Sequence, residues 1–173
     1  MLAQVRSGCF ELVIAQPHRL TLLAHIAMRA GLAPAAETFE NAASTLARQN
    51  PSTPSLLAAA AHTRGLVEHD ATLLRDAVEL AADSELRLLE DAAREDLGAE
   101  LARDAHTEAA IEQLESAYEF YVFAGAHRDA ARVRSAPRPL GIRKRQTSVA
   151  RPRRGWESLT KSERVGSTSW PVV

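Results

Sequence analysis

The sequence predicts an all-α protein of antiparallel helical pairs, followed by a basic, disordered tail. Three observations carry that expectation. Alanine and leucine dominate the 46% of hydrophobic residues while aromatics make up only 5%, and such side chains lose little rotamer freedom on entering a helix. Apolar residues recur at three- and four-residue steps, and no segment alternates with period two for long enough to be a strand. Prolines and glycines fall between those segments, where they start or stop helices.

Taken in order, segment 18–30 places Leu22, Leu23, Ile26 and Ala30 on one helical face, and Gly31 follows as a stop signal. Pro34 sits where a first helical turn tolerates it. The helix it opens runs roughly to Gln49 with Phe39, Ala43, Leu46 and Ala47 inward. Asn50-Pro-Ser-Thr-Pro54 breaks the pattern, because a residue before proline disfavours helix. Ser55 is then expected to cap a helix with Leu56, Ala60 and Val67 inward and Gly65 near its end. Asp70 is expected to cap the next, with Leu73, Ala77, Leu80 and Ala81 on a stripe. Asp83 or Ser84 would cap another, carrying Leu86, Leu89, Ala93, Leu97 and Leu101. A long helix from about Arg103 to Ala124 shows Ile111, Leu114, Tyr118 and Tyr121, Gly125 closes it, and a short helix spans about 128–134.

Gly31, Gly65 and Gly98 are spaced by 34 and 33 residues. That is the length of one helix–turn–helix unit of the tetratricopeptide type, so residues 1–134 are expected to form a TPR-like solenoid in which each pair buries its face on its neighbour. Eight glycines in a helical chain also produce such spacings by chance. Surfaces of this kind bind peptides or other protein domains, and the expected partner is a protein held by the repeats.

Several classes are disfavoured. No apolar run approaches the roughly 18 residues that a membrane span needs. The N-terminus lacks a basic region ahead of its apolar residues, and Glu11 interrupts it, which argues against a signal peptide. The single cysteine, Cys9, cannot build an intramolecular disulfide framework and fits a reducing, cytoplasmic setting. It reads as a buried or idle thiol, since a reactive one needs an electropositive niche.

Candidate chemistry is sparse. The chain has no Gly-rich phosphate loop, no H-E-x-x-H and no cysteine pair. His18 and His25 are seven residues apart, as are His62 and His69. Two turns is about 10 Å of helix, too far for one metal, so these side chains are expected to lie at or near the surface. Glu108, Glu112 and Glu115 share a helix face and read as solvated carboxylates. No catalytic residue, metal ligand or cofactor site is assigned, and the protein is expected not to be an enzyme.

The near-neutral total hides an asymmetry. Between Leu66 and Tyr121 sixteen acids face four arginines, and between Arg128 and Arg154 ten Lys/Arg face the single acid Asp129. Segment 135–154 therefore reads as a basic linker kept extended by like charges. Its alternative role is weak, sequence-blind contact with nucleic acid phosphates.

Beyond it, Thr160 and Glu163 form a capping box with Leu159 in the stapling position, which specifies a helix start at Lys161. After Val165 the sequence reads Gly-Ser-Thr-Ser-Trp-Pro-Val-Val. A helix of about five residues does not repay its nucleation cost. Residues 155–173 are thus expected to be the incomplete, disordered start of a further domain.

The motif Gly155-Trp-Glu-Ser-Leu-Thr-Lys-Ser-Glu163 resembles the opening of the LuxR-type helix-turn-helix domain, Gly-Trp-x-x-Leu-Thr-x-x-Glu. Asp129-Ala-Ala-Arg-Val-Arg134 and Leu140-Gly-Ile-Arg-Lys-Arg145 are similar to the segment that joins helical repeats to that domain in large LuxR-family regulators. His62-Thr-Arg-Gly-Leu66 and Leu89-Glu-Asp-Ala-Ala93 fit the repeats before it. Pro137 and Pro139 depart from the family, which tends to continue a helix there. The resemblance implies a transcriptional regulator that keeps the helical interaction region and lacks a complete DNA-binding domain. The family's base-reading residues have no counterpart, so no DNA-binding residue is assigned. The alternative is a stand-alone helical scaffold for protein–protein interaction.

Overall fold

The computed structural model describes residues 16–84 and 86–135. Among them the structure is all-helical and without strands. Its seven helices are α1 (His18–Arg29), α2 (Ala33–Gln49), α3 (Pro54–Glu68), α4 (Ala71–Ala82), α5 (Arg87–Arg103), α6 (Thr107–Phe123) and α7 (His127–Ser135). The chain divides into two units, Met1–Gly141 and Ile142–Val173, and every described helix belongs to the first. Cys9, the basic segment beyond Ser135 and the motif at 155–163 lie outside the described residues. No described helix is long and apolar enough to cross a membrane.

Each helix packs on the next, and in addition α1 packs on α3 and α3 on α5. The core is accordingly a relay of small clusters. Leu20 of α1, Ala43, Leu46 and Ala47 of α2 and Ala60 of α3 form the first. Ala58, Ala59, Ala81 and Leu89 join α3, α4 and α5. Leu74, Ala77, Val78, Ala93, Leu97, Leu101 and Ala110 join α4, α5 and α6. Leu114, Ala117, Tyr121, Ala130 and Val133 seat α7 on α6.

Helix ends follow local chemistry. Asp70 caps α4 as expected, its Oδ1 accepting from the amides of Thr72 (2.7 Å) and Leu73 (3.3 Å). Helix α3 starts two residues earlier than expected. Thr53 precedes it, Pro54 occupies its first turn, and Ser55 lies inside the helix without capping it. Four helices close with a left-handed residue and a bond from the next amide back five residues: Leu32 to Ala27 (2.8 Å), Asp70 to Gly65 (2.9 Å), His106 to Leu101 (2.9 Å) and Ala126 to Tyr121 (2.8 Å). Glycine takes the left-handed position at Gly31 (φ 71°) and Gly125 (φ 70°), but histidine holds it at His69 (φ 57°) and alanine at Ala105 (φ 62°). That turn moves the start of the helix expected from about Arg103: Arg103 ends α5 and α6 begins only at Thr107.

The burial of α1 is opposite to the expectation. Leu20, Thr21, Ala24 and Ala27 are buried, whereas Leu22, Leu23 and Ile26 are exposed. The helix is apolar on both sides, and the side with alanines approaches its neighbours more closely; the Thr21 and Thr63 hydroxyls meet at 2.8 Å across α1 and α3. Smaller corrections concern half-buried positions. Phe39, Val67, Leu73, Leu80, Ile111 and Tyr118 are only partly covered, and the α4 stripe runs through Leu74, Ala77, Val78 and Ala81. Leu86 precedes α5 and is exposed, while Leu89, Ala93, Leu97 and Leu101 are buried as expected.

The three evenly spaced glycines do not occupy equivalent places. Gly31 lies in a turn, whereas Gly65 and Gly98 lie within α3 and α5 at points of close helix approach. A Cβ on Gly65 would stand 2.9 Å from the Leu74 amide nitrogen, and one on Gly98 would stand 2.7 Å from Leu114 Cγ.

Candidate functional site

Helix α5 carries an unusual inner face. Beside its leucines and alanines it buries Glu90, Asp91 and Glu100. Charges enclosed this way need partners, because ionised side chains are costly to remove from water. For these three the partners are the helix's own Arg87, Arg94 and Arg103 together with His69, whereas the adjacent Glu95 and Asp96 reach α1, α3, α6 and α7.

The centre is Asp96. Its Oδ2 accepts from His25 Nε2 of α1 at 2.8 Å and from His62 Nε2 of α3 at 2.6 Å. A carboxylate only accepts, so both imidazoles present Nε2–H to the same oxygen. Burial alone would raise the Asp96 pKa. The two donated hydrogen bonds and the nearby imidazoles more than offset it and hold the carboxyl well below the usual range. The His25 pKa is raised by its hydrogen bond to Asp96 against the opposing effect of burial, with Glu95 adding and Arg132 opposing. His62 is fully buried, and its Nδ1 has no hydrogen-bond partner.

The neighbouring residue points to a second set of partners. Glu95 Oε1 and Oε2 accept from Arg132 Nε (2.6 Å) and Nη2 (2.8 Å) of α7, a two-pronged pair. The Tyr121 hydroxyl of α6 donates to Glu95 Oε2 at 3.1 Å, and Arg132 Nη1 donates to Asp129 at 2.6 Å. Burial first, then Glu95, push the Tyr121 phenol pKa strongly upward. Asp96 and Glu95 thus tie α5 to α1 and α3 through one side chain, and to α6 and α7 through the next.

Two further clusters flank this line. Glu90 accepts from Arg87 (2.9 Å) and from Arg94 (2.6 Å), and Arg87 lies 5.9 Å over the Phe120 ring. Asp91, fully buried, has no hydrogen bond to either oxygen; Arg87 Nε is 4.0 Å away. Burial raises its pKa to about 6, with Arg87 opposing and Glu90 adding. On the other side, His69 Nδ1 and Arg103 approach Glu100 at 3.4 Å and 3.0 Å.

The histidines therefore behave differently from the expectation. The pairs seven residues apart do not act together. Instead His25 and His62, 37 residues apart in sequence, meet on one carboxylate, and His62 is not a surface residue. Glu108 and Glu112 are exposed as expected and Glu115 is half-buried, while the buried acids of α5 were not singled out. The available signal was the run Leu89-Glu-Asp-Ala-Ala-Arg-Glu-Asp-Leu97, where charged residues crowd an apolar stripe. Among the described residues no three His, Cys, Asp or Glu side chains are arranged to hold a metal ion. A cavity of about 290 Å³ is lined by Met28, Gly31, Ala33, Ala36, Glu37, Val67 and His69, the last of which also approaches Glu100. No protein-family model, curated protein or solved structure matches the chain.

Proposed function

We propose that the described helices are a TPR-like protein-interaction module of a regulator of the LuxR type. One observation carries the interaction reading: each helix packs on the next, while α3 also packs on α1 and on α5, with ion pairs running from α1 and α3 through α5 to α7. An arrangement that grows by adding helical pairs has little use for a deep pocket; its shared surface is where a partner docks. His25, Arg132 and Asp129 lie along that line with part of their side chains open to solvent. They would supply the polar contacts that fix a partner's register. The likeness of Gly155–Glu163 to a LuxR-type domain start supports the regulator part of the reading.

The test is quantitative affinity purification of the tagged chain from its own cells, beside a His25→Ala/Arg132→Ala variant whose folding is checked by circular dichroism. A stoichiometric partner retained by the wild type and lost by the folded variant is expected. Failure to recover any stoichiometric partner, or its undiminished recovery with the variant, overturns the proposal.

A further inference from the structure

Helices α1 and α3 end at the same cavity. Met28 and Gly31 at the close of α1, and Val67 and His69 at the close of α3, line the space of about 290 Å³ together with Ala36 and Glu37 of α2. The carbonyls of a last helical turn lack intrahelical amide partners and carry the negative end of the helix dipole, so two such ends at one cavity favour a cation. The start of α2 does not reverse this. Its Ala35 and Ala36 amides already bond the Leu32 carbonyl at 3.0 Å and 3.2 Å, and Pro34 has no amide hydrogen. No set of free donors is left there for an anion.

Two side chains add acceptors. Glu37 is exposed, and among the described residues its carboxylate has no ion-pair or hydrogen-bond partner. His69 Nδ1 lies 3.4 Å from Glu100 Oε2; a carboxylate only accepts, so the ring proton sits on Nδ1 and Nε2 is the acceptor. Glu100 is itself buried and held by Arg103 at 3.0 Å. The turn has no need of an imidazole, since glycine fills the same left-handed position at Gly31 and Gly125. Met28, Ala36 and Val67 supply apolar wall.

The volume lies at the small end of the range for ligand pockets, with room for one long side chain. An alkyl stem with a charged tip matches an apolar wall beside acceptors. The three donors of an ammonium suit acceptors that arrive from separate elements, whereas a guanidinium needs a planar fork.

We propose that this cavity receives the side chain of a lysine presented by a partner protein, its stem on Met28, Ala36 and Val67 and its ammonium on Glu37 and His69. That a partner presents the lysine rests on the interaction reading above; the fit of the side chain does not.

Nuclear magnetic resonance of the isotope-labelled full chain, titrated with lysine blocked at both backbone ends (Nα-acetyl-lysine N-methylamide), tests it. Saturable shifts of the Gly31, Ala36, Val67 and His69 amides are expected at a Kd of about 1 mM, the level for a single side chain. Glu37→Gln should weaken binding about fivefold, and His69→Gly, which keeps the left-handed turn, about threefold, with folding checked by circular dichroism. Blocked norleucine, which has the stem without the charge, should leave the same amides unmoved. Shifts that do not saturate by about 10 mM, undiminished binding by either folded variant, or equal binding of blocked norleucine overturns the proposal. Tighter binding of blocked arginine does so too, because it assigns the cavity to a guanidinium. Blocked lysine that binds as expected, in a chain from which cells yield no stoichiometric partner, supports the cavity and overturns only the interaction reading.

Discussion

Asp91 is a carboxylate enclosed by protein with neither oxygen hydrogen-bonded, so its ionisation works against the fold. Its ordinary pKa of 3.8 rises to about 6 in the folded state. Two units correspond to about 3 kcal/mol at 1.36 kcal/mol per unit. Local relaxation and partial solvation around the carboxylate reduce the effect to about 2 kcal/mol. The folded state holds the proton more tightly than the unfolded one. The penalty is therefore absent below pH 4, grows as pH rises from about 4 to 6, and is complete above 6. Asparagine imitates the protonated acid in shape and lacks the titration. Asp91→Asn should match the wild type near pH 4 and be about 2 kcal/mol more stable at pH 7. Urea denaturation followed by far-ultraviolet circular dichroism at pH 4, 5, 6 and 7 gives the difference directly. A stability difference that stays constant across that range, or a variant that is weaker at pH 7, would refute the reasoning.

Ala105 holds a left-handed conformation that glycine adopts freely, so Ala105→Gly should raise stability by about 1 kcal/mol, visible as a higher melting temperature. Gly98→Ala places a methyl group 2.7 Å from Leu114 Cγ and should lower stability by about 1–3 kcal/mol in the same assay. His25 has a raised pKa, so its contribution is full below pH 6.5 and fades as pH climbs through the folded value; the His25→Gln variant should show a flatter urea midpoint between pH 6.5 and 9. Asp96 contributes in the opposite sense, present above pH 3.8 and lost as pH falls, and Asp96→Ala should cost about 3 kcal/mol or more at pH 6 by leaving His62 buried with Nε2–H unpaired.

The helix breaks were legible because they rest on residue chemistry within a few positions: Gly31 and Gly125 at left-handed ends, Pro34 in a first turn, Asp70 as a cap. The inward face of α1 was not. Leu22, Leu23 and Ile26 carry more apolar surface than Ala24 and Ala27, and hydrophobic periodicity favours the larger residues, while close approach to α3 favours the smaller ones. The start of α6 at Thr107 was hidden because Ala105 performs a task that sequence reading assigns to glycine. The polar line was illegible for a different reason. His25 meets Asp96 across 71 residues, and only the packing of α1, α3 and α5 creates that meeting.

The division of the core into small neighbouring clusters has a consequence for how the protein comes apart. Each cluster answers mainly to the helices that form it, so opening at one end need not be felt at the other. Asp96 counters that independence by fastening helices distant in sequence to a single oxygen. Its loss should loosen the coupling of α1 and α3 to α5, leaving the apolar clusters that α4 shares with α3 and α5 to carry it.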